Sequence, residues 1–555
     1  MKQVLAAILI LAAGLAVADS PLFQSTDDIN RIAIINSGYD AMLLRVHLFH
    51  NAKQSINVQT FILTNDECGR LFMYELIQAA KRGVKVRMIA DQFVTDKDCD
   101  LAAFLATVHP NLEFKYYRPP ADQLKPSSWR SVLSTALSFR DTNQRMHNKV
   151  ITVDGQIAVT GGRNIENTYY HFSTGMNFKD RDVLVAGPVV KDMEASFETF
   201  WDYKHSVAGR DLTDVARRIE QNNFTRYVSR DDFKFHGFFD GLSPDADDSV
   251  VIKTKFSDRM LLVQRAEFIC DKPGKNSRWH LTGDGVITAR LREELANCER
   301  QLVIQSPYLV LDKSMREFFI KLKKKNPRLK VIVSSNSFGS TDNIMAYSAN
   351  YKWRSLYIED LGFQIHEYKP LPADLLSIFP AYPKMKALAA QKPHANGEPE
   401  QPFLCIHAKS FVMDDRVAYI GTYNLDPRSA NLNTEVGLLI WDEKVAALLK
   451  ADILNDTKPG NSWVIAKREI PLSLDKVNAI MERASSASPV DLWPLRNTGS
   501  FELRPGAEPV PPGDPRFYQR YEDAGCFPGD DALLSPKAAK TRLLKVMDGL
   551  AAPVL

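Results

Sequence analysis

Two stretches of this chain repeat the same order of elements, and each ends in the same H-x-K-x4-D motif. That duplication constrains the fold more than any other feature. In the first stretch, Ser55-Ile-Asn-Val-Gln59 reads as a buried strand, Leu71 to Lys81 as an amphipathic helix, and Val84 to Ile89 as a second strand introduced by Gly83. The order returns at Gln301-Leu-Val-Ile-Gln305, the helix Ser314 to Lys325 and the strand Leu329 to Val333. A strand, a helix and a parallel strand form a βαβ unit, so the chain is expected to be an α/β protein of two homologous lobes. Each lobe would be a mixed β-sheet flanked by helices.

The segment Asp240 to Ser249 is rich in Asp, Ser, Gly and Pro and reads as the connection between the lobes. The expected division is therefore an N-terminal lobe over 19–240, a C-terminal lobe over 241–450 and a C-terminal extension over 451–555. Within that extension, Ala487 to Pro515 is dense in Pro, Gly and Ser, and Lys537 to Leu550 looks helical.

The motifs carry the chemistry. The first copy runs Arg145-Met-His147-Asn-Lys149 to Asp154-Gly155, then to Gly161-Gly-Arg-Asn164; the second runs Ile406-His407-Ala-Lys409 to Asp414-Asp415, then to Gly421-Thr-Tyr-Asn424. The apolar runs around Asp154-Gly155 and Asp414-Asp415 read as β-hairpins, and the strand period of two puts each His and Lys on one face. One His-x-Lys on a strand is usually a solvated face. Two copies with Gly and Asn at the same offsets form a pattern that needs a function.

Phosphodiester cleavage needs a nucleophile, an acid for the leaving alcohol and positive charge around the transition state. One motif supplies half of that set, so the lobes are expected to face each other across a pseudo-twofold axis and share one site. The candidate catalytic set is His147, Lys149, Asp154, His407, Lys409 and Asp414, with Asn164 and Asn424 as phosphate-binding groups. Within it, Asp154 and Asp414 fall where a tight turn wants such residues, which favours a structural role. A working histidine also needs a carboxylate on its other ring nitrogen. Glu435, ahead of the apolar strand Val436 to Trp441, and Asp180 or Asp182, ahead of Val183 to Ala186, are the candidates. No metal or other cofactor is expected, because two lysines can neutralise the phosphate and no H-E-x-x-H or similar ligand cluster occurs.

Met1-Lys2, the apolar run Val4 to Val17 and Ala16-Val17-Ala18 have the order of a signal peptide over 1–18, which predicts export to the periplasm or medium. The alternative is an uncleaved anchor, but the run is shorter than the roughly 20 apolar residues a span requires. Such a protein would meet a membrane from one side. The six cysteines form no C-x-x-C pair; Cys68 and Cys99, each following a strand of the first repeat, are a candidate disulfide. A net charge of +3 is too weak to imply a nucleic-acid partner, and no protein partner is indicated.

These residues resemble the phospholipase D superfamily up to about Trp441. Ala79-Ala-Lys-Arg-Gly-Val-Lys-Val-Arg, Arg145-Met-His-Asn-Lys, Gly161-Gly-Arg-Asn-Ile, Ser306-Pro-Tyr and Asn424-Leu-Asp-Pro-Arg-Ser-Ala-Asn-Leu-Asn-Thr-Glu435 are similar to its bacterial cardiolipin synthase branch. The resemblance implies transfer of a phosphatidyl group between phospholipid headgroups through a phosphohistidine, with His147 as the nucleophile. A hydrolytic phospholipase D would use the same residues with water as acceptor. A periplasmic endonuclease and a noncatalytic lipid-binding protein are further readings; the weak charge argues against the first and the completeness of both motifs against the second. The signal-like start and the tail from Ala451 depart from the branch and leave the acceptor open.

An apolar, helix-like segment precedes each motif strand: Trp129, Val132, Leu133, Ala136 and Leu137 with Lys125, Arg130 and Arg140, and Leu375 to Met385 with Lys384 and Lys386. Apolar faces with cationic edges suit a membrane surface, and they equally suit closure of a core.

Overall fold

The computed structural model describes residues 20–23, 28–126, 143–235, 241–275, 285–391, 401–469 and 496–528, with positions 239, 478, 480–482 and 484–485. The signal-like segment 1–18, the first apolar stretch 129–137 and the helix-like segment 537–550 lie outside the described residues.

The first lobe is built on nine strands: β1 (Asn30–Ile35), β2 (Ser55–Thr60), β3 (Lys85–Asp91), β4 (Leu112–Tyr117), β5 (Val150–Val153), β6 (Ile157–Gly161), β8 (Asp182–Ala186), β9 (Ser206–Ala208) and β10 (Leu261–Val263), with β7 (Met176–Lys179) outside the sheet. Their order is β10-β1-β8-β6-β5-β2-β3-β4-β9. The second lobe has β11 (Arg265–Cys270), β12 (Gln301–Gln305), β13 (Lys330–Asn336), β14 (Phe363–Tyr368), then β16 (Lys409–Met413), β17 (Val417–Gly421), β18 (Val436–Trp441), β19 (Ser462–Lys467), β20 (Thr498–Leu503) and β21 (Tyr521–Gly525), with β15 (Phe403–Ile406) outside. Its order, β11-β18-β17-β16-β12-β13-β14-β19-β20-β21, repeats that of the first lobe from the β8/β18 position to the β9/β19 position. In both lobes the three βαβ strands are parallel and the flanking strands antiparallel. The expected two-lobe mixed α/β architecture is therefore present.

Local sequence explains the repeated elements. The helix Glu67–Lys81 starts at Asp66, whose carboxylate accepts from Gly69 N at 2.9 Å, and the helix Lys313–Lys325 starts at Asp312, which accepts from Met315 N at 2.7 Å. Each motif hairpin turns on two left-handed residues, Asp154 (φ 52°) with Gly155 (φ 63°) and Asp414 (φ 52°) with Asp415 (φ 60°). This is the geometry that matches the right-handed twist of paired strands. Val150, Ala158, Val183 and Val185 of the first sheet share one apolar cluster with Val412, Ile420, Val436 and Leu438 of the second, so the lobes are joined by a common core.

Several expectations change. The segment around 240–249 is not a free connection: Leu242–Asp247 and Ser249–Lys255 are helices, and Tyr39 Oη donates to Asp245 at 2.7 Å. The chain passes between lobes at Gln264, since β10 pairs with β1 and β11 with β18. The tail is partly sheet, because β19, β20 and β21 extend the second lobe past 450. Cys68 and Cys99 are not bonded: Cys68 is fully buried in its helix, while the Cys99 thiol lies 3.6 Å from Asp214. In the second apolar stretch, Phe379, Tyr382 and Met385 pack on Tyr368, Leu404 and Ile406, while Leu376 is exposed. Most of that stretch closes a core.

Candidate active site

The site lies where the lobes exchange backbone. β7 of the first lobe pairs in parallel with β15 of the second, and Met146 bridges Thr434 in the same sense. The consequence is a reciprocal arrangement of main-chain bonds: His147 N donates to Thr434 O at 3.0 Å, and His407 N donates to Lys179 O at 2.8 Å. The residue after each acceptor is a carboxylate. Each histidine is thus delivered to an acid from the opposite repeat.

Nδ1 of His147 lies 2.7 Å from Glu435 Oε2, and Nδ1 of His407 lies 2.6 Å from Asp180 Oδ2. A carboxylate at Nδ1 favours the tautomer protonated there, which leaves Nε2 for the chemistry. Lys149 Nζ donates to His147 O at 3.0 Å; Lys409 Nζ donates to His407 O and lies 2.9 Å from His407 Nδ1. All six side chains are buried. Phe61 meets the His147 ring edge-on with centroids 4.7 Å apart, and Tyr169 meets the His407 ring at 5.1 Å.

The two halves differ behind the histidines. Gly162 leaves room for Asp180, since a Cβ there would lie 2.0 Å from Asp180 Oδ1. Thr422 occupies the matching place in the second lobe, and its hydroxyl donates to Glu435 Oε2 while Ser429 Oγ donates to Oε1 at 2.7 Å. Asp180 is flanked by two cations that reach across the interface: Lys179 pairs with Asp456, and Arg181 donates to Gln305 Oε1 at 2.9 Å and Ser410 Oγ at 3.0 Å.

Burial pushes Lys149 down to about 7, with the neighbouring charge of Lys409 adding to it, and pushes Lys409 down to about 8. Burial also lowers both histidines, His407 to about 4 and His147 well below its ordinary value, with Lys149, Lys409 and Arg428 adding to the effect on His147. The carboxylates diverge. Burial raises Glu435 to about 7 against the opposing bonds from Thr422 and Ser429. At Asp180 burial is outweighed by His407, Lys409 and Arg163, which hold it below the usual carboxylate range.

The other candidates lie elsewhere. Asp182 does not orient a histidine; its Oδ2 pairs with Arg45 Nη2 at 2.9 Å and Arg163 Nη1 at 3.4 Å inside the first lobe. Asp154 and Asp414 sit at the hairpin turns, about 16 Å of extended strand from their lysines at roughly 3.3 Å per residue. Asp154 accepts from the backbone N of Lys53, Gln54 and Ser55 at 2.7–2.8 Å, and Asp414 from Glu299, Arg300 and Gln301 at 2.7–2.9 Å. They staple each hairpin to the start of the neighbouring strand, the structural role that their turn positions favour. Asn164 donates to Tyr169 Oη at 2.6 Å and accepts from Ile62 N at 3.1 Å. Asn424 is buried, and its Oδ1 has no hydrogen-bond partner among the described residues.

Sequence reasoning missed Asp91 and Asn336. Each ends the second parallel strand of its lobe and accepts from the backbone N preceding the motif histidine, Met146 at 2.8 Å and Ile406 at 2.7 Å. Superposing the two repeats residue by residue would have aligned them.

The family model described as "Cardiolipin synthase, PLD-like domain" matches residues 46–201 and 291–457, which bracket both motifs and both supporting carboxylates. The chain belongs to this family of the phospholipase D superfamily. Its relatives include cardiolipin synthase C of Escherichia coli K12, 27% identical over 494 residues, covering 83% of this chain and 95% of that protein. Cardiolipin synthase 2 of Staphylococcus epidermidis is 23% identical over 452 residues, covering 81% of this chain and 72% of its own length. Among solved structures, phosphatidylserine synthase of Haemophilus influenzae Rd KW20 superposes with a TM-score of 0.50 at 14% identity, covering 79% of this chain and 89% of that one, a likeness of fold. This cardiolipin-synthase-like membership makes the chain a phospholipid-modifying enzyme of the phospholipase D type.

Proposed function

We propose that this enzyme transfers a phosphatidyl group from one phospholipid to the headgroup hydroxyl of another, as a cardiolipin synthase does, through a phosphohistidine at His147. The observation that carries the reading is the crossed pairing of His147 with Glu435 and His407 with Asp180. In this mechanism His147 Nε2 attacks phosphorus while His407 protonates the departing alkoxide, and Lys149 and Lys409 neutralise the phosphate oxygens. His407 then takes the proton of the incoming hydroxyl as the new P–O bond forms and the P–N bond breaks.

The difference between the carboxylates supports this division of roles. Asp180, held ionised, opposes the burial that lowers His407 to about 4 and so stabilises the protonated form that an acid passes through. Glu435 beside a strongly depressed His147 favours a neutral imidazole with a free lone pair, which suits a nucleophile. The proposed setting is an exported protein acting at a membrane surface; among the described residues no helix is long and apolar enough to cross a membrane.

The test is incubation of the purified mature protein with labelled phosphatidylglycerol, with and without phosphatidylethanolamine. Cardiolipin as product supports transfer, and phosphatidic acid alone replaces the reading with hydrolysis. The roles separate with a nitrophenyl phosphodiester, whose leaving group departs unprotonated: His407→Asn should still release nitrophenol and accumulate an adduct on His147, while His147→Asn should release none. An adduct at position 407 in the His147 variant would reverse the assignment.

A further inference from the structure

The duplication places equivalent loops beside the two histidines, and one exposed position in them differs in charge. Asp91 and Asn336 end matching strands, and seven residues after each comes the N-cap of the following helix. Asp98 accepts from Asp100 N and Leu101 N, and Asn343 from Met345 N and Ala346 N. The residue just before each cap is therefore equivalent in the two lobes. In the first lobe it is Lys97, exposed, with its ammonium 5.6 Å from the Phe93 ring; in the second it is Asp342, also exposed.

The neighbouring pair differs without changing the net charge, since Arg145 lies 3.5 Å from Asp91 where the second lobe has Cys405 and Asn336. Arg145 also lies 5.6 Å from the same Phe93 ring. Arg428 acts electrostatically on His147. In the second lobe, Asp342 Oδ2 accepts from Tyr308 Oη at 2.7 Å, and its Oδ1 lies 3.9 Å from the Cys405 thiol, two residues before His407. Its negative charge is felt by His407, Lys409 and Tyr169. Asp342 thus places an exposed carboxylate at the His407 end, where the first lobe has Lys97.

In-line displacement gives the position of Asp342 a meaning. With His147 attacking phosphorus, the departing or incoming alcohol lies on the opposite side, against His407 and Asp342. We propose that Asp342, oriented by Tyr308, selects the alcohol half of the substrate by accepting a hydrogen bond from a second donor on it, the neighbouring hydroxyl of a glycerol headgroup or the ammonium of an ethanolamine headgroup. The assignment rests on the transfer reading above. It makes Asp342 a specificity-determining residue.

The experiment reads how one intermediate divides between water and alcohol. The full-length mature enzyme is given the nitrophenyl ester of phosphatidic acid with ethanolamine, glycerol or 1-propanol at equal concentration, and the ratio of phosphatidyl alcohol to phosphatidic acid is measured by mass spectrometry. Molecules that fail to fold contribute to neither product, so the ratio is insensitive to partial misfolding. The wild-type ratio should be higher for ethanolamine and glycerol than for propanol, which has no second donor. Asp342→Ala should lower the first two by about tenfold, the size of one lost charge-assisted hydrogen bond, and leave the third. Asp342→Asn should lower ethanolamine more than glycerol if the ammonium is the natural partner, and both by similar amounts if it is the hydroxyl. Equal ratios in wild type and Asp342→Ala for all three alcohols overturn the assignment while leaving transfer intact. Phosphatidic acid as the sole wild-type product with every alcohol removes the transfer reading itself, and the assignment with it.

Discussion

Nδ1 of His147 lies 2.7 Å from Oε2 of Glu435, a residue 288 positions later in the chain and in the other repeat. The reciprocal pair, His407 with Asp180, spans 227 positions. The site exists only when both lobes are folded against each other, and this has consequences for mutation, pH and stability.

Replacing either carboxylate by its amide should disable the enzyme without unfolding it. Glu435→Gln and Asp180→Asn each keep the shape but replace a charged, acceptor-only group by an amide whose NH2 can face Nδ1 and select the wrong histidine tautomer, and losses of about 10²- to 10⁴-fold in kcat are expected by analogy with a triad aspartate. Thr422→Val, which removes one donor to Glu435, should have a smaller effect of about tenfold. Steady-state kinetics with an unchanged circular dichroism spectrum checks all three; near-normal kcat in Glu435→Gln would refute the supporting role.

The alkaline limb of the pH profile should belong to the lysines. Lys149, pushed down to about 7, and Lys409, pushed down to about 8, lose their protons as pH rises through those values. The positive charge that holds phosphate is therefore present below about 7 and gone above about 8, so kcat/KM should fall across that window. Lys149→Arg, which stays charged, should move the limb upward even if its rate is lower.

The motif aspartates should report on stability rather than on chemistry. Each accepts three backbone N–H groups. Asp154→Ala or Asp414→Ala should cost about 1–3 kcal/mol for the donors left unpaired. Urea titration should show the lowered midpoint, while kcat of the folded fraction at 20 °C stays within a few-fold of wild type. A normal midpoint with abolished turnover would return these residues to the chemistry.

Activity should persist in excess EDTA, because Lys149 and Lys409 supply the charge that a metal would otherwise provide. The substrate should be presented in detergent micelles so that removal of divalent ions does not alter its aggregation. Loss of turnover that added Mg²⁺, Ca²⁺ or Zn²⁺ restores would contradict a charge supply by lysine alone.

What the sequence by itself determined was local and periodic. The parallel strands and their helices, the Asp-Gly and Asp-Asp hairpins and the pairing of His147 with Lys149 and of His407 with Lys409 follow from strand period, cap residues and turn residues. Each of these involves neighbours a few positions apart. Repetition also announced that two half-sites had to meet. Only the tertiary structure decided which carboxylate serves which histidine, because the lobes swap backbone through β7 with β15 and Met146 with Thr434, contacts that no local pattern encodes. The same holds for Asp180 over Asp182. Both precede the same apolar strand, but Asp180 directly follows the residue that binds His407 N, whereas Asp182 pairs with β1 and faces Arg45. The lobe boundary at Gln264 was hidden for a related reason: β10 joins the first sheet by pairing with β1, more than 200 residues earlier, and a Gly- and Asp-rich composition says nothing about so distant a partner.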